Sequence, residues 1–240
     1  SQFRKADQMA IDLLDLAEQE DHRHSIMWAH ANLAQSRLFL GDFVDSRSHA
    51  EAALSLYDSR QDPRHIGHAI QDPRILALNY RGFSKMVLGY PEQGLADHRE
   101  ALQFARDLDH TFSLGFALAI SGSFAYTGET DIAEAIADEA IELGRSQDFP
   151  YVEAFGTGYR GFVQAQRGRY AEAIELLRDA LVRLAAATTS VGTSLFRPVL
   201  AHSLGMTGRI DDGLAEVDAL IGWTEVIGES WLAAENHRTR

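Results

Sequence analysis

Cysteine is absent from the 240 residues, which excludes disulfides, thiolate nucleophiles and cysteine-type zinc sites. Long apolar runs are absent as well. No stretch approaches the ~18 residues of a membrane span, and Ser1 to Ile11 carries no apolar signal-peptide core, so a cytoplasmic protein is expected. Positive charge is scarce: 22 Lys and Arg stand against 35 Asp and Glu, for a net charge of −13. Non-specific affinity for nucleic acid comes mostly from Lys and Arg. Nucleic acid is therefore not an expected partner, and anionic membrane surfaces are disfavoured for the same reason. What remains is 45% hydrophobic and 24% charged, an ordinary globular balance with enough apolar material for a sizeable core.

An internal repeat organises that material. Gly41, Gly89, Gly128, Gly168 and Gly208 are separated by 48, 39, 40 and 40 residues. Each follows one apolar helical stretch and precedes another, the later ones reading GYPEQGLADHREAL, GETDIAEAIADEAI, GRYAEAIELLRDAL and GRIDDGLAEVDALI. Seven residues before each glycine stand Ala34, Gly82, Ser121, Gly161 and Ala201; five after stand Ser46, Gly94, Ala133, Ala173 and Gly213. Two columns kept entirely small mark places where helix backbones come close, so that bulky neighbours fill the groove. The spaced glycines suit tight turns, where positive φ costs them nothing. Pro73, Pro91, Pro150 and Pro198 are placed in helical first turns, which tolerate proline. The prediction is one all-α solenoid over 1–240. It comprises five helical hairpins at 25–57, 73–108, 112–147, 151–187 and 195–227, with residues 3–20 as a partial repeat before them and 229–240 as the start of a further one. An array cut inside its repeats exposes apolar ends that seek partners, a second copy among them.

The small-residue columns resemble the tetratricopeptide repeat, which usually spans about 34 residues. The resemblance implies a right-handed superhelix of helix-turn-helix repeats, here near 40 residues each. Versions of that length resemble the repeats of LuxR-type ATP-dependent transcription regulators. The strings LSLYD, QDPRILALNY, LGYPEQGLADHREAL and ESWLAAENHR resemble the C-terminal repeats of bacterial multidomain signalling proteins. In those, an adenylate/guanylate cyclase domain and an ATPase precede the repeats. The resemblance implies a role in signal transduction or transcription regulation, with output in domains elsewhere. Chaperone-cofactor tetratricopeptide domains clamp a carboxylate with Lys and Asn on their first helices. The corresponding places here carry Ala31, Gln35, Asn79, Phe83, Leu118, Gly122, Gly158 and Phe162, a set too apolar for such a clamp.

No motif points to catalysis, a cofactor or a metal. Gly156, Gly158 and Gly161 spell G-x-G-x-x-G, but the pattern lies inside a predicted helix rather than after a strand, so helix packing explains it better than a dinucleotide. His22 and His24 in EQEDHRH do not share a helical face as the i, i+4 pair of zinc helices does. The first helices line the concave side of such repeats. Candidate groove residues there are Trp28, Gln35, Asn79, Tyr80, Phe83, Tyr126, Phe155, Tyr159, Phe162 and His202, an aromatic lining with few polar groups, suited to a peptide, a partner helix or a small molecule. The surplus eight residues of the first interval fall in DSRQDPRHIGHAIQD, where Arg64, His65, His68 and Arg74 are candidate loop contacts. Three functions are compatible with these features: a protein-interaction or sensory module, a peptide-binding regulator of the quorum-sensing type, and an oligomerisation scaffold without ligand.

Overall fold

A computed structural model describes residues 2–58, 71–187 and 191–240. Among them run thirteen helices and no strand: α1 (Gln2–Gln19), α2 (Arg23–Phe39), α3 (Phe43–Leu56), α4 (Pro73–Val87), α5 (Pro91–Asp107), α6 (Thr111–Ile120), α7 (Ser123–Tyr126), α8 (Thr130–Ser146), α9 (Pro150–Gln166), α10 (Tyr170–Ala186), α11 (Thr193–Met206), α12 (Ile210–Ile227) and α13 (Ala233–Thr239).

The turn inside each hairpin is built the same way. Gly41, Gly89, Gly128, Gly168 and Gly208 all have φ between 74° and 92°. The residue after each glycine donates its N–H back five positions: Asp42 to Arg37, Tyr90 to Lys85, Glu129 to Phe124, Arg169 to Gln164 and Arg209 to Leu204, at 2.8–3.2 Å. This is the Schellman closure that satisfies the last carbonyls of a helix, and it needs a left-handed residue. Three of the turns from one hairpin to the next use aspartate instead: Asp21, Asp109 and Asp148 sit at φ of 50–53°, a conformation that Asp tolerates better than most side chains.

The two small-residue columns meet each other. A Cβ on Gly94 would lie 2.5 Å from the Gly82 carbonyl, and one on Gly213 would lie 2.7 Å from the Ala201 carbonyl. In the first hairpin the Ser46 hydroxyl donates to the Ala34 carbonyl at 2.7 Å. In these three hairpins the columns are the points where the two helices cross at backbone distance. Glycines of α9 serve the same end: Cβ atoms on Gly156, Gly158 and Gly161 would collide with Ala137, Phe196 and Leu177, so the G-x-G-x-x-G string is packing surface.

Proline enters as expected at three helix starts. Pro73, Pro91 and Pro150 occupy first-turn positions of α4, α5 and α9. Pro198 does not: it lies inside α11, which begins earlier, after Gly192 at φ 98°. The left-handed glycine sets that helix start, and proline is accommodated one turn later.

Two compact units result, Ser1–Ala117 with Ile227–Trp231, and Leu118–Val226 with Leu232–Arg240. The stretch 229–240 is therefore shared: Trp231 belongs to the first unit, and α13 to the second. No described helix is long and apolar enough to cross a membrane.

Candidate functional site

In the first unit, most candidate groove residues have partners within the chain. The Gln35 side-chain amide donates to the Tyr80 hydroxyl at 2.7 Å, and the Trp28 indole donates to His24 Nε2 at 3.1 Å. Asn79 is fully buried, with neither side-chain polar atom hydrogen-bonded. Phe83 stands edge-on between His98, at 4.8 Å, and Trp231, at 5.5 Å. Arg74 holds its guanidinium 4.4 Å over Phe104 and pairs with Glu100 at 2.8 Å. Arg64, His65 and His68 lie outside the described residues.

Polar chemistry that sequence reasoning passed over sits below this lining. Asp97, buried on α5, receives both Arg81 and Lys85 of α4 at 2.7–2.9 Å. His98 beside it is fully buried with both ring nitrogens unpartnered, and that burial pushes its pKa down to about 4. A signal for it existed. Nine residues after each turn glycine stand Ala50, His98, Ala137, Leu177 and Val217, all buried, so one imidazole occupies an otherwise apolar column. Asp72 caps α4 by accepting the Arg74 N–H at 2.7 Å; burial raises its carboxyl to about 6. His30 and His49 face each other at 2.9 Å, and burial lowers both. His22, considered above as a metal candidate, caps α2 by accepting the Ser25 N–H. Among the described residues no group of three metal-ligating side chains converges.

In the second unit the lining divides into core and cleft. Phe155 and Tyr159 are buried against Phe196 at 5.7 and 5.2 Å. The Tyr159 hydroxyl donates to the Ala119 carbonyl at 2.6 Å, and its ring fills the space a Cβ on Gly122 would need. These two rings pack helices together. Tyr126, Phe162 and His202, by contrast, converge on a cleft of about 320 Å³, with Gln166, Pro198, Val199 and, from α13, Glu235, Arg238 and Thr239 around it. Tyr126 and Phe162 meet edge-to-face at 4.8 Å. Part of the Tyr126 ring is open, while its hydroxyl turns inward to the Leu195 carbonyl at 3.2 Å; burial of that end, with Glu235 nearby, raises its pKa. Arg238 and Glu235 pair on the same wall. The cleft offers apolar walls, a few oriented polar groups and one ion pair, which suits binding.

No protein-family model matches the sequence, and no curated protein matches it. Solved structures do. The structure of a Rap protein complexed with competence and sporulation factor aligns at a TM-score of 0.63 and 17% identity, over 98% of this chain and 69% of that one. A tetratricopeptide repeat protein from Parabacteroides merdae ATCC 43184 aligns at 0.50 and 14% identity, over 91% of this chain and 78% of that one. At such identities the likeness speaks for the fold, and with the paired helices and glycine turns it establishes an all-α array of tetratricopeptide-like helical repeats.

Proposed function

We propose that this chain is a non-catalytic interaction repeat that holds a short peptide in the cleft between α7, α9, α11 and α13. The observation that carries the reading is the convergence of Tyr126, Phe162 and His202 from three successive first-helix segments on one cavity of about 320 Å³. An apolar side chain would rest on Tyr126, Phe162, Pro198 and Val199, with Gln166, His202 and Arg238 to orient the peptide's polar groups. Signalling output would lie in attached domains, as in the multidomain regulators the sequence resembles. The likeness to a Rap protein in complex with a named factor supports a second version, a peptide-responsive regulator of the quorum-sensing type.

A thermal-shift screen against short peptides tests both versions. A ligand selective for the folded form contributes about 2.7 kcal/mol at a hundredfold excess over Kd. For a chain of this size that raises Tm by about 5–10 °C. His202→Ala, an exposed substitution, should weaken the shift without altering the unliganded Tm, and Phe162→Ala should abolish it. Peptides that give no shift, or a shift indifferent to both variants, would overturn the reading.

A further inference from the structure

The aromatic face expected to receive a partner in the first unit is already filled, by the chain itself. Ile227 to Trp231 belongs to that unit, and residues 228–232 leave the helical conformation. The Ser230 N–H donates to the Phe39 carbonyl at 2.7 Å. Phe39 ends α2, and carbonyls at a helix end have no partner inside the helix. The Trp231 ring enters beside it, edge-on to Phe39 at 5.6 Å and 82° and to Phe83 at 5.5 Å and 86°. Only 9% of Trp231 stays exposed. Ser230 passes beside Gly41, where a Cβ would make an ordinary contact of 3.4 Å with the Ser230 Cβ.

Two properties distinguish this contact from the helix-to-helix core. The indole N–H is satisfied within its own segment, donating to the Glu229 carboxylate at 2.5 Å. The Glu229–Ser230–Trp231 stretch thus arrives with its polar group already paired. What Phe39 and Phe83 receive is an aromatic ring on a short non-helical segment, anchored by one backbone N–H on a helix-end carbonyl. A short peptide can be bound in the same way, with main-chain hydrogen bonding for affinity and a side-chain pocket for specificity.

We propose that the slot between Phe39 and Phe83 is a binding site for a short non-helical peptide carrying tryptophan after a small residue, and that Ser230–Trp231 is its internal ligand. A tethered ligand competes at an effective concentration on the order of millimolar. An external peptide of the same chemistry enters only by exceeding that competition, so the internal segment sets a threshold. The slot lies within the first unit and shares no lining residue with the cleft of the second.

The experiment is isothermal titration of the 240-residue chain with an acetylated peptide of residues 228–232, Gly-Glu-Ser-Trp-Leu. Trp231→Ala vacates the slot and should bind the peptide at least tenfold more tightly than the wild type. The peptide with alanine for tryptophan should bind neither, and adding Phe83→Ala should abolish binding. Adding Phe162→Ala should leave it unchanged, which separates this outcome from the fate of the cleft. A folded Trp231→Ala chain that ignores the peptide, or binds it no better than the wild type does, would overturn the proposal. If that variant does not fold, hydrogen exchange on the wild type decides. A displaceable segment opens locally, so the Ser230 amide should be at least tenfold less protected than amides of α4 such as Leu78. Exchange of Ser230 only through global unfolding would show core, and refute the internal ligand.

Discussion

Replacing Gly94 with alanine sets two effects against each other. Within a helix, Gly to Ala favours the folded state by about 1 kcal/mol, through lost backbone freedom in the unfolded chain. Gly94 lies in α5, so this gain is available. Against it, the new Cβ would stand 2.5 Å from the Gly82 carbonyl and 2.5 Å from Met86 Cγ. The methionine can yield, but the carbonyl is backbone, so the crossing of α4 and α5 must open by about 1 Å to reach ordinary contact. Overpacking of this kind costs about 1–3 kcal/mol, towards the upper end where backbone is the obstacle. Opening the crossing also strains the Arg81–Asp97–Lys85 pairing that spans it. The expected net is a destabilisation of about 1–2 kcal/mol, or a Tm lower by about 2–8 °C for a chain of this length. Gly222→Ala is the control: it is an exposed position within α12, where a Cβ meets nothing within 4 Å, so it should stabilise by about 1 kcal/mol. Urea unfolding followed by circular dichroism measures both. If Gly94→Ala stabilised as much as Gly222→Ala, the small-residue columns would not be the crossing points.

Three further outcomes follow from buried polar groups. Asp97→Ala leaves Arg81 and Lys85 without their counter-charge at a buried position and should cost about 3 kcal/mol in urea unfolding; a loss under about 0.5 kcal/mol would show the pair to be solvated. Tyr159→Phe removes one hydrogen bond to Ala119 and should cost about 1 kcal/mol with the helical signal intact. His98 and Asp72 act oppositely on pH dependence. His98, lowered to about 4, contributes stability that is complete above about pH 6.5 and lost as pH falls towards 4, about 3 kcal/mol in all. Asp72, raised to about 6, favours the folded state below its unfolded pKa and loses that contribution as pH rises through 6. His98→Leu, matching Leu177 in the same column, should therefore flatten the decline in urea midpoint between pH 6.5 and 4.5; an unchanged slope would remove His98 as its source.

The repeat was legible because turn chemistry and backbone approach are sequence-local constraints. A helix-ending turn at φ above about 70° favours glycine, as at Gly168, and a crossing at backbone distance demands a small residue, as at Ser46 and Gly94. Both recur at fixed spacing whatever else changes. The start of α11 was less legible, since Gly192 outweighs Pro198 as a boundary and proline alone marked the wrong turn. The lining was legible only as a class. Tyr159 and Phe162 sit three residues apart on one helix, yet one fills the gap at Gly122 and the other faces the cleft. That distinction depends on which neighbour is missing a side chain, and periodicity does not encode it. The burial of Trp231 was hidden for a different reason. Its partners Phe39 and Phe83 lie far from it in sequence, and nothing local marks residues 228–232 as a segment that returns to them.

Chemical-shift mapping on the 240-residue chain, titrated with a peptide selected by thermal shift, tests the interaction reading most directly. The prediction is that perturbations cluster on Tyr126, Phe162, Gln166, His202 and Arg238, around the cleft of the second unit, and saturate together. Saturable perturbations confined to other surfaces, with these five residues unmoved, would contradict it.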